Sequence, residues 1–102
     1  MEQIIYHITT QTEWENALTT GEYAAPSLSI EGFIHCSLQN QVAGVLQRYY
    51  QGKNNLILLT IDTSLLTNKC IFELALSVNQ LFPHIYGTIN TNAVIKTEAI
   101  NA

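Results

Sequence analysis

The run Asn55-Leu56-Ile57-Leu58-Leu59-Thr60-Ile61 decides the fold class. It is too short for an ordinary helix and long enough for one central strand. Asp62, Thr63 and Ser64, which favour turns and caps, follow it. Upstream, Val42, Val45, Leu46, Tyr49 and Tyr50 fall at i, i+3, i+4, i+7 and i+8, the stripe of an amphipathic helix. That helix is predicted to begin near Gln39, to be capped by Ser37 and to be closed by Gly52. Before it, a turn at Glu31-Gly32 leads into a strand at Phe33-Ile34-His35-Cys36-Ser37. Residues 22–31, with Pro26 and two serines, read as an irregular or short extended segment.

Residues 3–9, rich in β-branched and aromatic types, read as a first strand. Thr10 with Glu13, or Thr12 with Glu15, can form a capping box at the start of a short helix. It should run to about Leu18, with Trp14, Ala17 and Leu18 inward, and Gly21 ends it. Downstream, residues 70–77 and 93–100 read as strands. Between them Leu81-Phe82-Pro83-His84-Ile85-Tyr86-Gly87 is a mixture that regular secondary structure does not require. The expectation is an α+β fold in a single compact domain over residues 1–102. Its five or six strands form a curled, mostly antiparallel, split-barrel-like sheet over two main helices.

Composition narrows the function. Hydrophobic residues make up 47% of the 102, enough for a core, and charged residues only 12%. Four Lys and Arg against eight Asp and Glu leave a net charge of −4, which argues against a duplex nucleic-acid binder with its basic stripe. No apolar run approaches the ~20 residues of a membrane span, so a soluble, cytoplasmic protein is the expectation. Cys36 and Cys70 lack the paired spacing of a zinc site and are expected to be free, half-buried thiols.

The chemistry rests on three histidines. His7 shares a strand face with Ile5 and Thr9, and His35 with Phe33 and Ser37. His84 shares a face with Tyr86 if its stretch is extended. Each histidine alone is accounted for as a hydrogen-bonded residue at a sheet end. Three of them, each flanked by aromatic or hydroxyl residues, point to a shared cleft. No His-x-His or His-x-x-x-His pair pre-arranges metal ligands, so no metal is expected. Glu73 lies in a strand suited to burial, where an unpaired carboxylate is unfavourable. It faces outward if Phe72, Leu74 and Leu76 face in together, or it faces the cleft and orients an imidazole or holds a ribose hydroxyl. Ser37 reads as a cap before a nucleophile, and Cys36 points away from His35. Tyr86 fits either a stacking platform or a core aromatic.

Ile5-Tyr6-His7-Ile8, the following Trp14, Gly32-Phe33-Ile34-His35-Cys36-Ser37, Gln41 and Phe82-Pro83-His84-Ile85-Tyr86-Gly87 together resemble domain-of-unknown-function family 952, over roughly residues 4–98. The resemblance implies a compact relative of the ADP-ribosyltransferase fold, on the side of the RNA 2′-phosphotransferases, which hold NAD or an ADP-ribosyl unit in a cleft. By that resemblance His7 matches a first-strand histidine that fixes a ribose or the nicotinamide end, and Thr9 a hydroxyl residue just after it. His35 matches a position beside the nicotinamide ring. The arginine-rich phosphate grip of the 2′-phosphotransferases is absent, Arg48 being the one arginine. The expectation is an enzyme that handles NAD or ADP-ribose, with NAD as cofactor or substrate. His7, His35, His84 and Glu73 would carry the chemistry, and Thr9, Ser37 and Tyr86 would bind the ligand. The alternatives are a non-catalytic nucleotide or small-molecule module, or a regulatory or structural protein with packed histidines.

Overall fold

The computed structural model describes residues 3–102. Its strands are β1 (Ile4–Thr10), β2 (Glu22–Tyr23), β3 (Ile34–His35), β4 (Leu56–Asp62), β5 (Lys69–Ala75), β6 (Gln80–Tyr86), β7 (Ile89–Asn90) and β8 (Val94–Ile100), and its helices are α1 (Gln11–Thr20), α2 (Pro26–Glu31) and α3 (Val42–Tyr49). Three antiparallel sheets form, in the orders β1-β4-β8, β3-β6-β5 and β2-β7. The apolar run at 55–61 becomes β4 at the centre of the first sheet, as expected. The fold is α+β, and its sheets do not close into a barrel.

Alternation along β1 and β4 gives that first sheet two buried faces. Ile5, Leu59 and Ile61 join the main core with Trp14, Ile34, Ile85 and Ile89. Ile8, Leu56 and Leu58 point the other way, under Val42, Val45, Leu46 and Tyr50 of α3. The α3 stripe is therefore the lid of a second, smaller core, and only Tyr49 of the predicted set stays exposed. In α1, Thr10 accepts a hydrogen bond from the Glu13 amide and Gly21 takes the left-handed conformation that ends the helix.

The structure corrects the sequence reading in several places. Residues 22–31 form β2 and a third helix, because Pro26 suits the first turn of a helix and Gly32 (φ 88°) can close it. Residues 81–86 of the mixed stretch lie in β6, the middle strand of its sheet, and Gly87 follows it. Ser37 caps nothing, since a turn of 3-10 helix at Gln39–Gln41 precedes α3 and the Gln41 side chain, not Ser37, accepts from the Leu38 amide. Leu18 turns out to solvent. Leu74 and Leu76 do not face in: β5 ends at Ala75, and Leu76 is 84% exposed in the hairpin turn.

Pro83 explains how the two larger sheets meet. The Cys36 amide donates to the Pro83 carbonyl at 2.9 Å, and proline has no N–H to return the bond. The chain leaves β6 there. Ser37 instead exchanges both backbone bonds with Tyr6 of β1, each at 2.7 Å. That crossover brings β1 and β6 to the same cleft.

Candidate functional site

The cleft has a volume of about 690 Å³, within the range of small-molecule sites. β1 supplies His7 and Thr9, the β3 crossover supplies His35 and Ser37, and β6 supplies His84. Tyr23 comes from β2. His7, His35 and His84 all line this one cleft. Ser37, which caps no helix among the described residues, lines the same cleft.

His7 forms the cleft floor. Its Nδ1–H donates to the His35 carbonyl at 2.6 Å, because a carbonyl can only accept. That places a proton on Nδ1, and Nε2 lies 2.9 Å from the Tyr23 hydroxyl. The Tyr23 hydroxyl donates to Thr9 Oγ1 at 2.9 Å, and the Thr9 hydroxyl donates to Glu13 at 3.1 Å. Burial lowers the His7 pKa from 6.5 to about 4 and pushes the Tyr23 hydroxyl well above its usual range. His7 is thus a neutral hydrogen-bonding group at physiological pH.

His35 and His84 are cross-strand partners on β3 and β6, with ring centroids 5.0 Å apart. Phe33 stacks on His84 at 4.1 Å and meets His35 edge-on at 4.8 Å, clamping both rings. Each ring is also tied to a carboxylate. His35 Nε2 lies 2.8 Å from Glu31, the last residue of α2, and His84 Nδ1 lies 2.7 Å from Glu73. Glu73 therefore faces neither bulk solvent alone nor the ligand space: it stands behind His84. The Tyr86 hydroxyl donates to the same Glu73 oxygen at 2.5 Å, and these two hydrogen bonds, Tyr86 first, hold the Glu73 carboxyl below its usual pKa. Neither Glu73 nor Tyr86 lines the cleft.

Arg48 and Lys53, at and just beyond the end of α3, complete the wall. Each lies against a tyrosine ring, Arg48 5.7 Å from the Tyr49 centroid and Lys53 5.8 Å from that of Tyr50. Neither pairs with a carboxylate among the described residues. Sequence reasoning did not place these cations, nor Tyr23 and Glu31, which lay in the segment expected to be irregular. The four-residue spacing of Glu31 and His35 was the available signal for that pair. Cys36 is buried and Cys70 half-buried, both free, and burial pushes both thiols up. Among the described residues no group of three or more His, Cys, Asp and Glu side chains is placed to hold a metal, and no helix is long and apolar enough to cross a membrane.

Fold and site define an α+β protein of three antiparallel sheets with a cleft ringed by histidines. The chain belongs to a family described as protein of unknown function (DUF952), whose model matches residues 8–97. It is similar to the crystal structure of protein CC0527 from Caulobacter crescentus, at 25% identity and a TM-score of 0.89, over 97% of this chain and 87% of that one. The solution structure of CC0527 gives 25% identity and a TM-score of 0.81, over 96% and 84%. No curated protein matches the chain.

Proposed function

We propose that the cleft binds a nucleotide of the ADP-ribosyl type, ADP-ribose or NAD. One observation carries the reading: in a chain of net charge −4, two of the four Lys and Arg residues, Arg48 and Lys53, line this cleft. Uncommitted cations at the mouth suit phosphate, while the neutral His7 and the hydroxyls of Thr9, Tyr23 and Ser37 suit ribose oxygens. The cleft volume accommodates a ligand of that size. The kinship with the ADP-ribosyltransferase fold that the sequence resemblance implies points to the same ligand.

An amide-shift NMR titration with NAD, and then with ADP-ribose, tests this reading. Clustered, saturable shifts around His7, His35 and His84 are expected, and Arg48→Ala or Lys53→Ala should each weaken affinity by about tenfold. Absence of shifts at millimolar ligand overturns the proposal. Nicotinamide released from NAD in the same sample would assign turnover, and binding without release would assign a non-catalytic module.

A further inference from the structure

We propose that His35 and His84 form a general acid–base pair for transfer at phosphorus, acting on a small ribonucleotide phosphodiester held in the same cleft. The inference rests on that cleft accepting a ribonucleotide, and it is carried by the way the two rings are tethered. His84 is tied to Glu73 through Nδ1, so its neutral form keeps the proton there and leaves the Nε2 lone pair without a partner among the described residues. Since Glu73 lies outside the cleft lining, the tied edge of the ring turns away from the ligand space. His35 is tied to Glu31 through the other nitrogen, Nε2, and Nδ1 is its free position. Two imidazoles 5.0 Å apart, anchored through opposite nitrogens, thus present one free nitrogen each to a cleft that also holds Arg48 and Lys53.

The division of labour follows from exposure. The His84 side chain is 12% exposed, stacked on Phe33 and backed by a carboxylate that also receives the Tyr86 hydroxyl, and it serves as the base. The His35 side chain is 52% exposed, so it can reload a proton from water, and it serves as the acid. His84 Nε2 takes the proton of a ribose 2′-hydroxyl as the O2′–P bond forms. The P–O5′ bond breaks with its electron pair, and His35 Nδ1 delivers a proton to the departing O5′. The products are a 2′,3′-cyclic phosphate and a free 5′-hydroxyl. His84 then returns its proton to water and His35 recovers one, so no co-reactant is consumed. Arg48 and Lys53 face the charge that builds on the phosphoryl oxygens. Glu73, Tyr86 and Glu31 are positioning residues.

The test uses the full chain and adenylyl-(3′,5′)-adenosine, with chromatographic detection of adenosine 2′,3′-cyclic phosphate. Cleavage is expected, with a bell-shaped pH profile, and the 2′-O-methyl dinucleotide should be inert. His35→Asn and His84→Asn should each lower the rate by about 100-fold or more while the amide NMR spectrum keeps the dispersion of the folded chain. Glu73→Gln should displace one limb of the pH profile, which a merely structural carboxylate would not do. No cyclic phosphate from the unmodified chain overturns the inference, and so does a rate that survives in His84→Asn. ADP-ribose binding without cleavage removes the acid–base pair and leaves the nucleotide reading intact. Cleavage without ADP-ribose binding supports the pair and removes the ADP-ribosyl assignment.

Discussion

At the scale of single residues, His7 shows how burial sets both tautomer and stability. Its pKa lies at 6.5 in the unfolded chain and at about 4 in the fold, because burial disfavours the charged ring more than the His35 carbonyl favours it. The unfolded state therefore binds more protons between those values, and stability falls as pH drops from 6.5 through 4. The loss approaches about 3 kcal/mol once both forms are protonated. Urea denaturation of the wild type and His7→Gln at pH 7 and pH 4.5 checks this. The variant should show the smaller decline, and equal declines would refute the assignment. Glu73 obeys the opposite sign. Its lowered pKa contributes stability above the unfolded value, and that stability is lost as pH falls through the folded one. Tyr86→Phe should raise the Glu73 pKa in a carboxyl NMR titration, Tyr86 being the leading cause of its shift.

At the scale of elements, the joints between strands matter more than the strands. Gly87 leaves β6 at φ 145°, a conformation that side chains rarely adopt, and an added Cβ would run into the Asn68 side chain. Asn68 in turn donates to the Thr88 carbonyl at 2.8 Å, holding the chain between β6 and β7. Gly87→Ala should destabilise by about 1–3 kcal/mol, seen as a fall in Tm of roughly 5–15 °C. Gly52→Ala is the control. Gly52 also has a positive φ, of 81°, but among the described residues beyond its chain neighbours no atom lies within 4 Å of the added Cβ, so the loss should be smaller. Matching Tm values for the two variants would show that the Asn68 contact carries no weight. The same joint-by-joint logic explains the crossover at Ser37, where the missing N–H of Pro83 releases β3 from one sheet to meet the other.

At the scale of the whole molecule, β4 separates the two cores. Leu59 is fully buried in the main one, with β1 and β8 on either side of its strand. Leu59→Ala should cost about 2–5 kcal/mol of unfolding free energy, whereas Leu76→Ala, in the exposed hairpin turn, should stay within about 0.5 kcal/mol. Denaturant midpoints at unchanged slope measure both. Equal losses at the two positions would contradict a core centred on β4. The cleft lies where the two larger sheets part, so its histidines come from β1, β3 and β6, segments distant in sequence.

Local pattern was enough for the α+β class, for β1, β4, β8, α1 and α3, and for the face that His7 shares with Thr9. Strand alternation and helical periodicity are properties of neighbouring residues, and they survive folding unchanged. The grouping of His7, His35 and His84 was legible as composition, because polar rings among apolar neighbours are unfavourable unless something satisfies them. Their roles were not legible. Which nitrogen each ring ties up depends on the His35 carbonyl, Glu31 and Glu73. Arg48 and Lys53 reach the cleft only because α3 lies across β1 and β4. Ser37 could be a cap or a cleft hydroxyl until Pro83 sent its backbone to Tyr6. Those outcomes depend on contacts between segments that no local window contains, so only the tertiary structure decided them.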